Sequence, residues 1–263
     1  MAPEKSTRSA AWPRALEAPS PLAGSPLTDA LLLPDPEITG SRRPVPRLLD
    51  LAVAVALYAS LLFAFFTLIG PVLTARGESE AGIFFGLQVL DDAALAGIAV
   101  LFGRLRFPGS WGDLGFRGVG VGWWVTGLGG GVAAAGSAWA ASAALGRWGW
   151  VAPVHPVESV LEAARTPVDV ALVLLAVTVP VPLAEETFFR GFAYRLLSAR
   201  FGGPAAAGAT SLAFALVHGL APGAWVPVVP VGLVFALLVE KSGSLWPAVV
   251  GHAVVNVVAI LAQ

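Results

Sequence analysis

The sequence predicts an all-α fold, a polytopic transmembrane helix bundle of about seven spans, and three observations carry that prediction. Apolar residues make up 56% of the 263-residue chain and charged residues only 13%, about half the share usual in a soluble domain. Mean hydropathy is +0.77. Successive stretches of about 18 or more nearly uncharged residues are each long enough, as helices, to cross a hydrocarbon core. Lipid offers the backbone no hydrogen-bond partners, so such stretches satisfy themselves as helices. The composition also excludes some functions. A net charge of −1 leaves no basic footprint for nucleic acid, and the absence of cysteine excludes disulfides and thiolate metal sites.

Residues 1–47 are rich in Pro, Ser and Ala, with charges of both signs, and Pro34, Pro36, Pro44 and Pro46 oppose any long helix. They are expected to form a disordered, dispensable cytoplasmic tail ahead of a membrane bundle over 48–263. No apolar core followed by a small-residue cleavage site marks a signal peptide. A first span is expected over 48–69, stopping at Gly70-Pro71. A second, 81–102, carries Asp91 and Asp92 near its middle, where carboxylates must face the bundle or a polar cavity.

Residues 103–121 form a polar connection with Arg104, Arg106 and Arg117, and Trp111, Trp123 and Trp124 suit a membrane interface. The third span, 122–145, is rich in Gly and Ala. Gly127 and Gly131, one turn apart, suit close helix approach. A loop is expected over 146–167, with His155 exposed between Pro153 and Pro156. The fourth span, 168–199, is too long for one straight crossing and is interrupted at Pro180 and Pro182, so it should tilt or kink. A turn about Gly202 leads to a fifth span over 205–220. The sixth, 225–239, and the seventh, 245–261, are joined by a turn at 240–243. Arginines in short connections gather on one side of such a bundle, which places the N-terminus in the cytoplasm.

The fourth span holds Glu185-Glu186-Thr187-Phe188-Phe189-Arg190. A charge at the centre of a membrane helix costs about 2.5–3.5 kcal/mol, so ionisable residues there are functional candidates. The i,i+4 spacing lets Glu186 pair with Arg190 and leaves Glu185 free for other work. Three more polar residues, His218, His252 and Asn256, stand in apolar spans, the last two on one helix face. Counted along straight helices, Glu185 and His218 both lie about 25 Å from the Gly202 turn, and His252 about 10 Å shallower. The plain reading is a set of interhelical hydrogen bonds. The chemical one is that a Glu, two His and an Asn can activate a water and stabilise an oxyanion.

EETFFR resembles the EExxxR motif of the CAAX-protease and bacteriocin-processing (CPBP, or Abi) family of intramembrane proteases. Phe214–His218 is similar to its FxxxH motif, His252–Asn256 to its HxxxN motif, and residues 112–117 to the short stretch that precedes them. The resemblance covers roughly 112–261 and implies a bundle of seven to eight spans, since the family commonly has eight. It implies hydrolysis of a peptide bond in or beside the membrane of a prokaryotic cell. The substrate would be a membrane-associated peptide or protein, prenylated in the CAAX case. By the same analogy Glu185 polarises the water with help from His218, His252 and Asn256 steady the oxyanion, and Glu186 and Arg190 shape the motif. His218, His252 and Glu185 would be the ligands if a zinc were present. The HExxH arrangement is lacking, and a metal-free glutamate mechanism needing no cofactor is the preferred expectation. Two other functions compete: a non-catalytic immunity or scaffold protein of the same fold, and a proton- or cation-coupled transporter, which Asp91 and Asp92 near Glu185 would favour.

Overall fold

A computed structural model describes residues 47–106, 110–151 and 156–262. These form eight helices: α1 Leu48–Ala75, α2 Glu80–Leu105, α3 Val121–Gly146, α4 Pro156–Ala163, α5 Pro167–Phe201, α6 Gly203–Leu216, α7 Pro222–Ser242 and α8 Trp246–Leu261. No strand occurs among the described residues. Five helices are long and apolar enough to cross a membrane, and α6 and α8 are apolar but shorter, so the all-α membrane bundle stands. The tail, apart from Arg47, and His155 lie outside the described residues.

Three boundaries differ from the sequence reading. Helix α1 does not stop at Gly70-Pro71 but continues to Ala75, through a π-turn at Phe65–Ile69 in which the Gly70 N–H bonds back to the Phe65 carbonyl. The wider turn gives the slack that admits the Pro71 ring. The expected 146–167 loop contains α4, whose Val157 packs with Ala81, Val173 and Val177. Helix α6 ends at Leu216, so His218 stands past its end rather than within it.

Helix α5 organises the bundle. It opens with a capping box, in which the Thr166 hydroxyl accepts from the Asp169 N–H at 3.1 Å and Asp169 accepts from the Thr166 N–H at 3.0 Å. Ser79 at the head of α2 donates to the other oxygen of Asp169 at 3.1 Å, fastening the two helices. The helix breaks at Val179 (φ −120°, ψ −69°), because Pro180 and Pro182 lack the donors that an unbroken helix needs. It then passes into a π-turn over Thr187–Ala193, all seven residues of which are buried. One core joins Leu95, Ile98, Ala99 and Phe102 of α2 to Phe188, Phe189, Phe192 and Leu196 of α5. A second joins Ala134 of α3 to Val231, Phe235 and Leu238 of α7 and Ala248 of α8. Helix α1 lies outermost against α2 and turns Phe63, Phe66 and Leu68 outward, as a lipid-facing helix does.

Helices α3 and α8 meet backbone to backbone at the two glycines. A Cβ on Gly127 would lie 2.6 Å from the Pro247 carbonyl oxygen, and one on Gly131 2.5 Å from that of Gly251. Gly131→Ala is therefore expected to cost about 1–3 kcal/mol through overpacking. A fall in the thermal midpoint in detergent would register it, and an unchanged midpoint would mean the helices part freely.

The basic connections share one end of the bundle. Arg106 donates to Asp50 at the start of α1 at 2.9 Å, and Arg104 lies 4.6 Å over the Trp111 ring. Gly115 (φ +97°) abuts the Arg195 guanidinium near the end of α5, and its carbonyl accepts from the Leu245 N–H at 2.9 Å.

Candidate active site

Glu186 and Arg190 are fully buried, and Arg190 Nη1 donates to Glu186 Oε1 at 3.1 Å, the i,i+4 pair expected. Arg190 Nη2 donates to the Gly232 carbonyl of α7 at 3.0 Å. Gly232 is glycine for reasons of space, since a Cβ there would lie 2.8 Å from Ser211 Cβ on α6. The guanidinium stands 4.4 Å from the Phe214 ring centroid, 5.5 Å from Phe235 and 5.8 Å from Phe189. These rings exclude water while offering their negative faces to the cation, which offsets part of its desolvation.

Glu186 Oε1 has a second partner. His252 Nδ1 lies 3.1 Å from it, and the imidazole stacks on Phe235 with centroids 5.1 Å apart. An ionised carboxylate that already accepts from Arg190 can only accept again, so Nδ1 carries the hydrogen and Nε2 is the nitrogen turned elsewhere. Nε2 faces Glu185 Oε2 at 3.7 Å. Arg190, Glu186, His252 and Glu185 thus form one chain of polar contacts, in which the first two fix the tautomer and aim of the third. Glu185 Oε2 is shielded from solvent and has no hydrogen-bond partner.

His252 therefore comes closer to the carboxylates than straight-helix depth predicted. The π-turn lies between Glu185 and the Gly202 turn and alters the rise there, which the count did not assume. His218 sits on the exposed turn after α6, with Nδ1 2.8 Å from the Phe214 carbonyl oxygen. The Phe214 ring packs against both imidazoles, at 4.9 Å from His218 and 5.6 Å from His252. Asn256 is directed elsewhere: its Nδ2 donates to the Val177 carbonyl at 2.6 Å, just before the α5 break. Asn256→Ala should cost about 1 kcal/mol of stability and loosen the kink that aims Glu185. A turnover loss larger than the fall in thermal midpoint implies is expected, and parent-like turnover would deny the kink that role.

The second span supplies neighbours. Tyr58 of α1 donates to Asp91 Oδ1 at 2.5 Å, and Gln88 donates to Asp92 Oδ1 at 3.2 Å. Gly232 and Phe235 carried no sequence signal, being ordinary members of an apolar span. Phe214 had one, as the first residue of the FxxxH pattern.

As zinc ligands, Glu185, His218 and His252 do not fit this geometry. Among the described residues no three His, Asp or Glu side chains converge to hold a metal ion. Each imidazole spends Nδ1 on a protein oxygen, Glu186 for His252 and the Phe214 carbonyl for His218.

Residues 167–258 match the family model described as type II CAAX prenyl endopeptidase Rce1-like. The match takes in Glu185–Arg190, Phe214–His218 and His252–Asn256, and leaves α1–α4 outside it. No curated protein and no solved structure matches the chain. Over α5–α8 the chain is thus similar to the Rce1-like type II CAAX prenyl endopeptidases, and the matched residues sit in a multi-pass helical bundle.

Proposed function

We propose that the protein is an intramembrane endopeptidase that hydrolyses a peptide bond of a membrane-associated substrate, with Glu185 as the base that activates water. The observation that supports this most is the chain from Arg190 through Glu186 and His252 to the shielded Oε2 of Glu185. The reaction follows from it. Glu185 takes a proton from water as the water oxygen bonds the scissile carbonyl carbon. The proton passes by His252 Nε2 to the leaving nitrogen as the C–N bond breaks. Glu186, held by Arg190, steadies the imidazolium formed in between. We assign donation to the oxyanion to His218, on the exposed side of Phe214, and support of the α5 break to Asn256. The two histidines thus exchange the roles that the resemblance implied.

A substrate with a prenylated CAAX tail suits the family description, and we read the reaction as metal-free. The expected setting is a prokaryotic cell membrane with the N-terminus cytoplasmic, because the basic residues gather at the end where α1 begins. Asp91 and Asp92 beside Glu185 favour a second reading, a proton relay in a transporter.

The test is turnover of a quenched, membrane-tethered peptide, with and without a prenyl group, by the full chain in vesicles and by its Glu185→Gln variant. Equal turnover by the two would remove Glu185 from the reaction. Loss of activity with chelator, restored by zinc, would overturn the metal-free mechanism. Proton flux without cleavage would favour the relay.

A further inference from the structure

The connection between α2 and α3 is built into the bundle. Its 3₁₀ turn, Trp111–Leu114, is closed by Asp113, which accepts from the Ser110 N–H at 2.6 Å. Leu114 is fully buried between two glycines. A Cβ on Gly103 of α2 would lie 2.5 Å from Leu114 Cδ2, and one on Gly191 of α5 2.7 Å from the Leu114 carbonyl oxygen. Gly191 belongs to the π-turn that carries Arg190 and begins directly after Glu186. On its other side the connection grips the turn between α7 and α8. The Gly115 carbonyl accepts from the Leu245 N–H at 2.9 Å, and the Arg117 carbonyl from the Ser244 hydroxyl at 2.7 Å. The Leu245 carbonyl in turn accepts from Val249 in the first turn of α8. Leu245 also meets α5, since its Cδ1 would lie 3.3 Å from a Cβ on Gly191. Phe116 packs against both hydrophobic cores.

We propose that residues 110–117 are a positioning element of the catalytic centre. Leu114 bears on the α5 π-turn, while Gly115 and Arg117 hold the start of α8, and together they fix the height at which His252 meets Glu185 and Glu186. This rests on the reading of those side chains as the catalytic set. Leu245 and His252 stand seven residues apart on one face of α8, about 10 Å along its axis. A shift of α8 at Leu245 therefore arrives at His252 nearly undiminished. Backbone packed against glycine has no side chain that could absorb it. Displacement by about 1 Å would break the 3.1 Å contact of His252 Nδ1 with Glu186. The match to the family model begins at residue 167, so the proposed site depends on a segment outside it.

The experiment has two readouts on the full chain: kcat and KM for a quenched, membrane-tethered peptide, and the imidazole ¹⁵N signals of His252, assigned by their loss in His252→Gln. Nδ1 with its hydrogen and bare Nε2 give separate signals while Glu186 fixes the tautomer. Leu114→Ala should lower kcat on the order of ten-fold or more at little-changed KM, and should merge the two signals. Leu114→Met, which keeps the bulk, should restore both. Val173→Ala opens a cavity elsewhere on α5, beyond the Val179 break, and should change neither readout per folded molecule. If Leu114→Ala does not fold, Ser244→Ala decides, with a smaller fall in kcat and the same change of signals. Parent-like His252 signals in the deciding variant would overturn the inference, as would the same change in Val173→Ala. Merged signals with parent kcat would also overturn it, because the hold on α8 would then not serve the reaction. Glu185→Gln, measured alongside, tests the base separately: an active one removes that reading, while the His252 signals still report whether the connection holds α8.

Discussion

Glu185→Gln is expected to lower peptide hydrolysis by about 10²–10⁴-fold while leaving the fold intact. The amide fills the same volume beside His252 but cannot take a proton from water. Its stability should not fall, because the carboxylate it replaces makes no hydrogen bond through Oε2 and its removal relieves a buried charge. Substrate affinity, read as binding of an uncleaved peptide, should also persist. His252→Ala acts on the same proton path, so the double variant should be hardly slower than the slower single one. Additive losses would mean that the two side chains work in separate steps, and a fully active Glu185→Gln would end the assignment.

Arg190→Ala is expected to have the largest effect on stability, about 3–5 kcal/mol, because it strands the buried Glu186 without its counter-charge. It also empties a cage formed by Phe189, Phe214 and Phe235 and frees the Gly232 carbonyl. Folded yield and thermal midpoint should fall together. Activity per folded molecule should fall further, because Glu186 would turn and His252 would lose its fixed tautomer. Arg190→Lys should not rescue the protein. One ammonium cannot reach Glu186 and Gly232 at once, nor lie flat against the rings. A stable, active Arg190→Ala would show that Glu186 holds His252 unaided.

Much of the fold was legible because membrane helices announce themselves as uncharged runs, and the Gly127 and Gly131 spacing announced the tight α3–α8 contact. The Glu186–Arg190 pair was legible from local spacing alone. What sequence could not show is where the helices depart from ideal. Thr187–Ala193 gives no sign of its π-turn in the sequence, yet that turn lies within the Glu185–Gly202 interval and alters a depth count based on uniform rise. The early end of α6 was hidden because Val217 carries no stop signal, while Gly219 and Pro222 lie further on. Roles set by tertiary contact were also invisible: Asn256 was matched to a motif, but its partner is a carbonyl of the broken helix.

The shortness of α6 bears on the lipid. Its 14 residues span about 21 Å, against a hydrocarbon core of about 30 Å. The non-helical stretch from Val217 to Ala221, His218 included, begins where an ordinary span would still be climbing through acyl chains. Bare peptide groups are not tolerated there unless water or protein covers them. The leaflet beside α6 is therefore expected to dimple inward, as membranes do around a short hydrophobic element. Solvent would then reach the scissile bond down that depression in the headgroup layer, with no pore through the protein.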